Sequence, residues 1–144
     1  MGILLLFNGG LMLFSGLTSF ILKDGVTFEL TLSAFLVLSA GALMMLFGRQ
    51  HNKQIQKREG YLIVSLGWVL MSLSGTIPYL LSGAIPNFTA AFFETMSGYT
   101  TTGASILNDI EIIPKGVLFW RSTTHWIGGM GIIVLAIAIL PFLG

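Results

Sequence analysis

Cysteine is absent from the 144 residues, which removes disulfide frameworks, thiolate metal sites and thiol nucleophiles in one step. Charge is nearly as scarce: 9% of the residues are Asp, Glu, Lys or Arg, against about 25% in an ordinary soluble chain. Water is therefore not the main solvent of this molecule. A net charge of +1, carried by clustered rather than spread basic residues, excludes a nucleic-acid-binding surface. The histidines His51 and His125 stand apart and make no metal site. An intramembrane enzyme needs a nucleophile with a base, or paired carboxylates, within its spans, and Glu94 stands alone there. A cleaved secretory signal at residues 2–22 lacks the basic region that precedes such signals.

What the chain has in quantity is apolar sequence: 54% of its residues are hydrophobic. Crossing about 30 Å of hydrocarbon takes roughly 20 mostly apolar residues in a helix. Uncharged runs of that length lie at 2–22, 30–48 and 122–144. A fourth run, 60–93, is too long for one ordinary helix and contains Pro78 and Pro86. Proline removes an N–H donor and disfavours helix at the residue before it, so the third span is expected to end near Ser82.

Residues 86–97 have helical character. Pro86 and Asn87 suit a helix start, and Phe88, Ala91, Phe92 and Thr95 fall on one stripe. Such a helix is about 18 Å long, too short to cross. It carries Glu94, which is tolerable inside a bundle but costly against lipid. A short apolar helix followed by polar chain before the next span reads as a re-entrant segment.

The loop 49–59 holds Arg49, Lys53, Lys57 and Arg58 against Glu59, whereas the loop 23–29 holds Lys23 against Asp24 and Glu29. The positive-inside rule makes the first loop cytoplasmic. Both termini are then cytoplasmic and the re-entrant segment enters from outside. Asp109 and Glu111 fall on the external side, either as an acidic mouth that attracts cations or as ordinary solvated loop residues.

Ser97-Gly98-Tyr99-Thr100-Thr101-Thr102-Gly103-Ala104-Ser105 follows the short helix directly. Non-helical backbone at membrane depth survives where protein buries it or where it lines a water-filled path. Successive carbonyls and threonine hydroxyls can replace the water around a monovalent cation, and a glycine lets the backbone take positive φ. The carboxyl end of the preceding helix, negative by its dipole, favours a cation there. Outside this context a Thr-Thr-Thr-Gly run more often marks a loop or strand edge.

The run Phe93-Glu94-Thr95-Met96-Ser97-Gly98-Tyr99-Thr100-Thr101-Thr102-Gly103-Ala104 resembles the first pore loop of the Trk and Ktr superfamily of potassium transporters. Trp120-Arg121 and then His125-Trp126-Ile127-Gly128-Gly129-Met130-Gly131-Ile132-Ile133-Val134 is similar to the second helix of the same Trk-type repeat. The resemblance implies an all-α membrane protein with four transmembrane helices plus one re-entrant pore helix and filter loop. Residues 1–56 form a helical pair with a basic cytoplasmic loop. Residues 57–144 form the first pore repeat: span 60–82, pore helix 86–97, filter 100–105 and span 116–144. It implies potassium bound by Thr100, Thr101, Thr102, Gly103 and Ala104, with Ser105 as a flank, and no covalently bound cofactor.

The implied partners are the remaining three pore repeats of a parent chain, a second copy in a homodimer, a cytoplasmic nucleotide-binding regulatory subunit and the lipid bilayer. The implied location is the plasma (inner) membrane of a prokaryote. Only one repeat is present, both ends look clipped, and the family's gating loop belongs to the third repeat. A truncated product or partial gene model is therefore expected, and a non-conducting membrane scaffold or assembly subunit is the alternative function.

Gly128, Gly129 and Gly131 serve either to bend the last span or to pack helices closely, the commoner use of small residues in membranes. Arg121 is expected near the outer interface or paired with a carboxylate, Glu94 being one partner. Glu94 itself is either an ion site or, more in keeping with its surroundings, a structural carboxylate bonding the loop's N–H groups. Asn87-Phe88-Thr89 matches a glycosylation acceptor, but a helix start accounts for it.

Overall fold

The computed structural model describes residues 1–48 and 57–143. These are all-helical, with no strand among them: α1 (Gly2–Leu22), α2 (Thr27–Gly48), α3 (Lys57–Gly75), α4 (Ile77–Leu81), α5 (Phe88–Tyr99) and α6 (Lys115–Leu143). Three segments are long and apolar enough to cross a membrane: Gly2–Leu22, Thr27–Gly48 and Leu62–Leu81, the last joining most of α3 to α4. Arg49, His51, Lys53 and Gly144 lie outside the described residues, while Lys57, Arg58 and Glu59 open α3 instead of closing a loop.

The bundle is apolar outside and partly polar inside. Phe7, Phe14, Phe20, Phe28, Phe35 and Phe47 are exposed, whereas Asn8, Ser15, Ser19, Ser33, Ser72, Thr76, Glu94 and Thr124 are buried. Water would not tolerate so much exposed apolar surface. In hydrocarbon the arrangement is the favourable one, because buried polar groups there find hydrogen bonds within the bundle. Many bond to their own helix: Ser33 Oγ donates to the Glu29 carbonyl at 2.7 Å and Thr76 Oγ1 to that of Ser72 at 2.8 Å.

Helices α1 and α2 form an antiparallel hairpin with a small-residue seam. A Cβ added to Gly2 would meet the Gly41 carbonyl at 2.8 Å, one on Gly9 the Leu38 side chain at 2.7 Å, and one on Gly16 the Thr31 side chain at 2.8 Å. The seven-residue spacing of these glycines keeps all three on one face. α2 begins at Thr27, three residues earlier than the apolar run suggests, because Glu29 suits the first turn of a helix electrostatically.

The hairpin's short connection reaches the start of α6. Asp24 accepts hydrogen bonds from the Gly116 N–H at 2.6 Å, from Val26 N–H at 3.3 Å and from Ser19 Oγ. Ser15 Oγ donates to the Gly116 carbonyl at 2.6 Å. Asp24 therefore satisfies an N–H that the first turn of α6 leaves without a helical partner, and ties the α1–α2 connection to the helix that follows the polar loop.

The third span runs to Leu81, next to Ser82, and is broken within its length at Thr76, between α3 and α4. Pro78 lies in the first turn of α4 and has no N–H to offer the preceding turn. The Gly75 carbonyl at the break accepts instead from the indole N–H of fully buried Trp120 at 3.0 Å. This fixes α6 against the interruption in α3–α4.

Candidate functional site

Helix α5 starts where a capping residue allows it. The Asn87 side chain accepts from the N–H groups of Thr89 at 2.9 Å and Ala90 at 3.2 Å, an N-cap arrangement. Its first helical residue is thus Phe88, two residues later than the sequence pattern placed the start, and it continues two residues further, to Tyr99. Buried Ala91 and Thr95 lie on its inner face. Gly75 opposes them, and a Cβ there would come within 2.6 Å of the Thr95 methyl.

The end of α5 is unusual. Thr102 N–H bonds to the Ser97 carbonyl and Thr101 N–H to that of Gly98, both at 3.0 Å. This pair of bonds is a Schellman termination, in which the residue after the cap takes a left-handed conformation and is usually glycine. Here that residue is Thr101, with φ of 56°. A β-branched residue in this region is an outlier that costs about 1–2 kcal/mol. Gly103, two residues on, is also left-handed, at φ 77°.

Residues 100–106 are exposed. Thr100 Oγ1 and Thr102 Oγ1 lie 2.8 Å apart, and Thr101 Oγ1 donates to the Thr100 carbonyl at 2.7 Å. Ser97 Oγ donates to the Ala104 carbonyl at 2.6 Å, closing the loop onto the helix it leaves. Among the described residues, no protein donor reaches the carbonyls of Thr101, Thr102 or Gly103.

Glu94 holds the returning arm. Its side chain is fully buried and accepts from Arg121 Nε at 2.6 Å, from Ser105 Oγ at 3.0 and 3.1 Å, and from Ile106 N–H at 3.0 Å. One carboxylate thus links α5, the loop and α6. Its oxygens are committed to protein donors, so Glu94 acts as a structural clamp, and Arg121 is its partner.

The other wall of the loop's stem is glycine. A Cβ on Gly128 would lie 2.2 Å from the Tyr99 carbonyl oxygen, and one on Gly98 would lie 2.3 Å from Thr124 Oγ1. A Cβ on Gly131 would sit 3.0 Å from the Trp68 ring, whereas Gly129 has only the Thr101 methyl at 3.9 Å. Gly128 and Gly131 are therefore packing glycines. Tyr99 is held through its side chain too: its hydroxyl donates to Asn8 Oδ1 at 2.5 Å, and Asn8 Nδ2 donates to Ser74 Oγ at 2.9 Å.

Thr100, Thr101, Thr102, Gly103 and Ala104 share one exposed loop, with Ser105 turned back to Glu94. Asp109 and Glu111 are exposed further along, and Asp109 Oδ1 accepts from the Glu111 N–H at 3.0 Å, a local turn contact. Sequence reasoning missed Asn8, Gly98 and Asp24. A single Asn within an apolar span was the signal available for the first, since such a residue needs a partner in the bundle.

An all-helical bundle with an apolar exterior and, among the described residues, three helices long and apolar enough to cross a membrane defines a helical membrane protein. The family model described as "Cation transport protein", TrkH, matches residues 27–144, and the chain belongs to that family. Among its relatives, the Trk system potassium uptake protein TrkH of Escherichia coli (strain K12) is 41% identical over 145 residues, covering 99% of this chain and 30% of that protein. TrkG of the same strain is 36% identical over 123 residues, covering 85% of this chain and 25% of that protein. The crystal structure of the potassium transporter TrkH from Vibrio parahaemolyticus superposes with a TM-score of 0.89 at 39% identity, covering 97% of this chain and 30% of that one. The chain thus spans about 30% of the length of the TrkH relatives it matches. The family is one of ion transporters, not enzymes.

Proposed function

We propose that this chain supplies one of four pore-loop repeats of a potassium uptake protein, and that Thr100, Thr101, Thr102, Gly103 and Ala104 line its selectivity filter. The observation that carries the reading is the loop after α5: an exposed backbone with left-handed Thr101 and Gly103, carbonyls without protein donors, and a stem fastened by Glu94. Left-handed residues spaced by one turn successive carbonyls toward a common side, the geometry that replaces a cation's hydration shell. Ala104 contributes less freely than its neighbours, because its carbonyl already accepts from Ser97.

On this reading α1, α2, α3–α4 and α6 are four membrane spans and α5 is re-entrant from the outside. Residues 1–56 are a helical pair with a basic cytoplasmic loop, and 57–144 are the pore repeat. Both termini face the cytoplasm of a prokaryote, across its inner membrane. Three further repeats complete the pathway, a second copy forms a homodimer, and a cytoplasmic nucleotide-binding subunit regulates it. Potassium is cargo.

The test is rubidium uptake and growth rescue in a potassium-uptake-deficient bacterium, comparing the 144-residue chain with a version extended through three further repeats. Uptake by the extended form, with ion preference altered by Gly103→Ser, supports the filter. Membrane insertion and partner capture with no uptake by either form would leave a scaffold instead.

A further inference from the structure

We propose that Asn8, in the helical pair that precedes the pore repeat, is a positioning residue for the filter and helps to set ion preference; this rests on the filter reading above. Asn8 lies 91 residues before Tyr99 in the chain, yet its Oδ1 accepts the Tyr99 hydroxyl at 2.5 Å. Both residues are fully buried. Tyr99 is the last residue of α5, and Thr100, the first filter residue, follows it directly.

The bond to Asn8 is one of three restraints on the same residue. The Tyr99 main chain is pressed against Gly128 of α6, while its ring packs edge-on to Trp68 of α3, with centroids 6.4 Å apart and planes at 60°. These contacts are apolar or steric and set no direction for the hydroxyl. The bond to Asn8 does, because a hydrogen bond is directional and weakens steeply when misaligned. Asn8 is itself oriented by its second bond, from Nδ2 to Ser74 Oγ, and Ser74 Oγ in turn donates to the Met71 carbonyl at 2.9 Å. The amide therefore presents its oxygen to Tyr99 and its nitrogen to α3.

The seam joining α1 to α2 is built around Gly2, Gly9 and Gly16, and the side-chain hydrogen bonds of Asn8 go to Ser74 and Tyr99, not to α2. Its polar group instead points across the bundle to the stem of the loop. The leading helical pair thus has a task beyond anchoring: α1 fixes the carboxyl end of α5, and with it the first carbonyls of the filter.

The test uses the full-length protein in the uptake-deficient bacterium, with rubidium uptake measured against competing sodium and normalised to protein in the membrane. Asn8→Leu and Tyr99→Phe are each expected to lower the rubidium-over-sodium ratio about three- to tenfold, in line with the free energy of an interhelical hydrogen bond in a membrane. The double variant is expected to match the larger single effect, since both changes remove one bond. Tyr99→Phe removes one hydroxyl and keeps the ring, so it decides the matter even if Asn8→Leu fails to accumulate. Gly103→Ser runs alongside. If Gly103→Ser shifts the ratio and Tyr99→Phe leaves it unchanged, the positioning role is overturned and the filter stands. If Gly103→Ser also leaves it unchanged, the filter reading fails and this proposal with it.

Discussion

Replacing Gly128 by alanine puts a methyl group where the end of α5 already is. The added Cβ would lie 2.2 Å from the Tyr99 carbonyl oxygen, 2.7 Å from its carbonyl carbon and 2.9 Å from the Gly98 oxygen. All three are backbone atoms, so no rotamer change relieves the contact. Carbon–oxygen contacts settle near 3.3–3.6 Å, so the end of α5 must retreat by about 1 Å. The Asn8 and Trp68 contacts oppose that retreat from the other side. Overpacking of this kind costs about 1–3 kcal/mol, partly offset by up to about 1 kcal/mol from exchanging glycine for alanine inside a helix. Gly129→Ala is the control: it gains the same propensity and meets only the Thr101 methyl at 3.9 Å. Thermal unfolding of the full-length protein in detergent, with rubidium uptake in cells, reads both effects. Gly128→Ala should lower the midpoint and abolish or severely reduce uptake, while Gly129→Ala keeps both near the wild-type level. Equal behaviour of the two variants would refute the close approach of α6 to Tyr99.

Glu94→Ala strands Arg121, which retains 21% side-chain exposure, and frees Ser105 and Ile106; a loss of about 3 kcal/mol is expected, at the low end for a broken buried ion pair because of that exposure, and is read from the thermal midpoint. Thr101→Gly relieves the left-handed strain and should raise the midpoint by an amount worth about 1 kcal/mol, while lowering uptake because a hydroxyl of the proposed filter is gone. Partial burial pushes the Asp24 carboxyl up, but bonds from Ser19, Gly116 and Val26 outweigh it and hold the group below its ordinary 3.8. The folded form therefore binds its proton less readily than the unfolded chain, so the latch onto α6 contributes fully above that ordinary value and is lost as pH falls through the lower folded one. The midpoint difference between wild type and Asp24→Asn should accordingly persist at neutral pH and vanish in strong acid.

Much of the architecture was legible because membrane insertion is read segment by segment. The apolar runs at 2–22 and 30–48 became α1 and α2, as hydrocarbon thickness and helix rise require. The short helix before the Thr-rich loop was legible from Asn87 and the length that follows, although its register moved by two residues once the N-cap was fixed. The pairing of Arg121 with Glu94 was legible only as an option, since charge in an apolar setting asks for a partner without saying which. The break at Thr76 was not legible, because the reading carried the third span through to Ser82 without an interruption, whereas Pro78 opens a separate short helix, α4, within it.

The sequence by itself determined that this is a helical membrane protein, that one of its helices is too short to span, and that a glycine-bearing polar loop follows it. Each of these depends on the solvation and backbone preferences of a single stretch of chain. Only the tertiary structure decided that Glu94 would fasten Ser105, Ile106 and Arg121 together, that Gly128 would admit the Tyr99 carbonyl, and that Asn8 would reach the tyrosine hydroxyl. Those contacts join helices distant in sequence, and they depend on the rotation and register at which the helices pack. That choice is made by interlocking surfaces rather than by any one segment's periodicity.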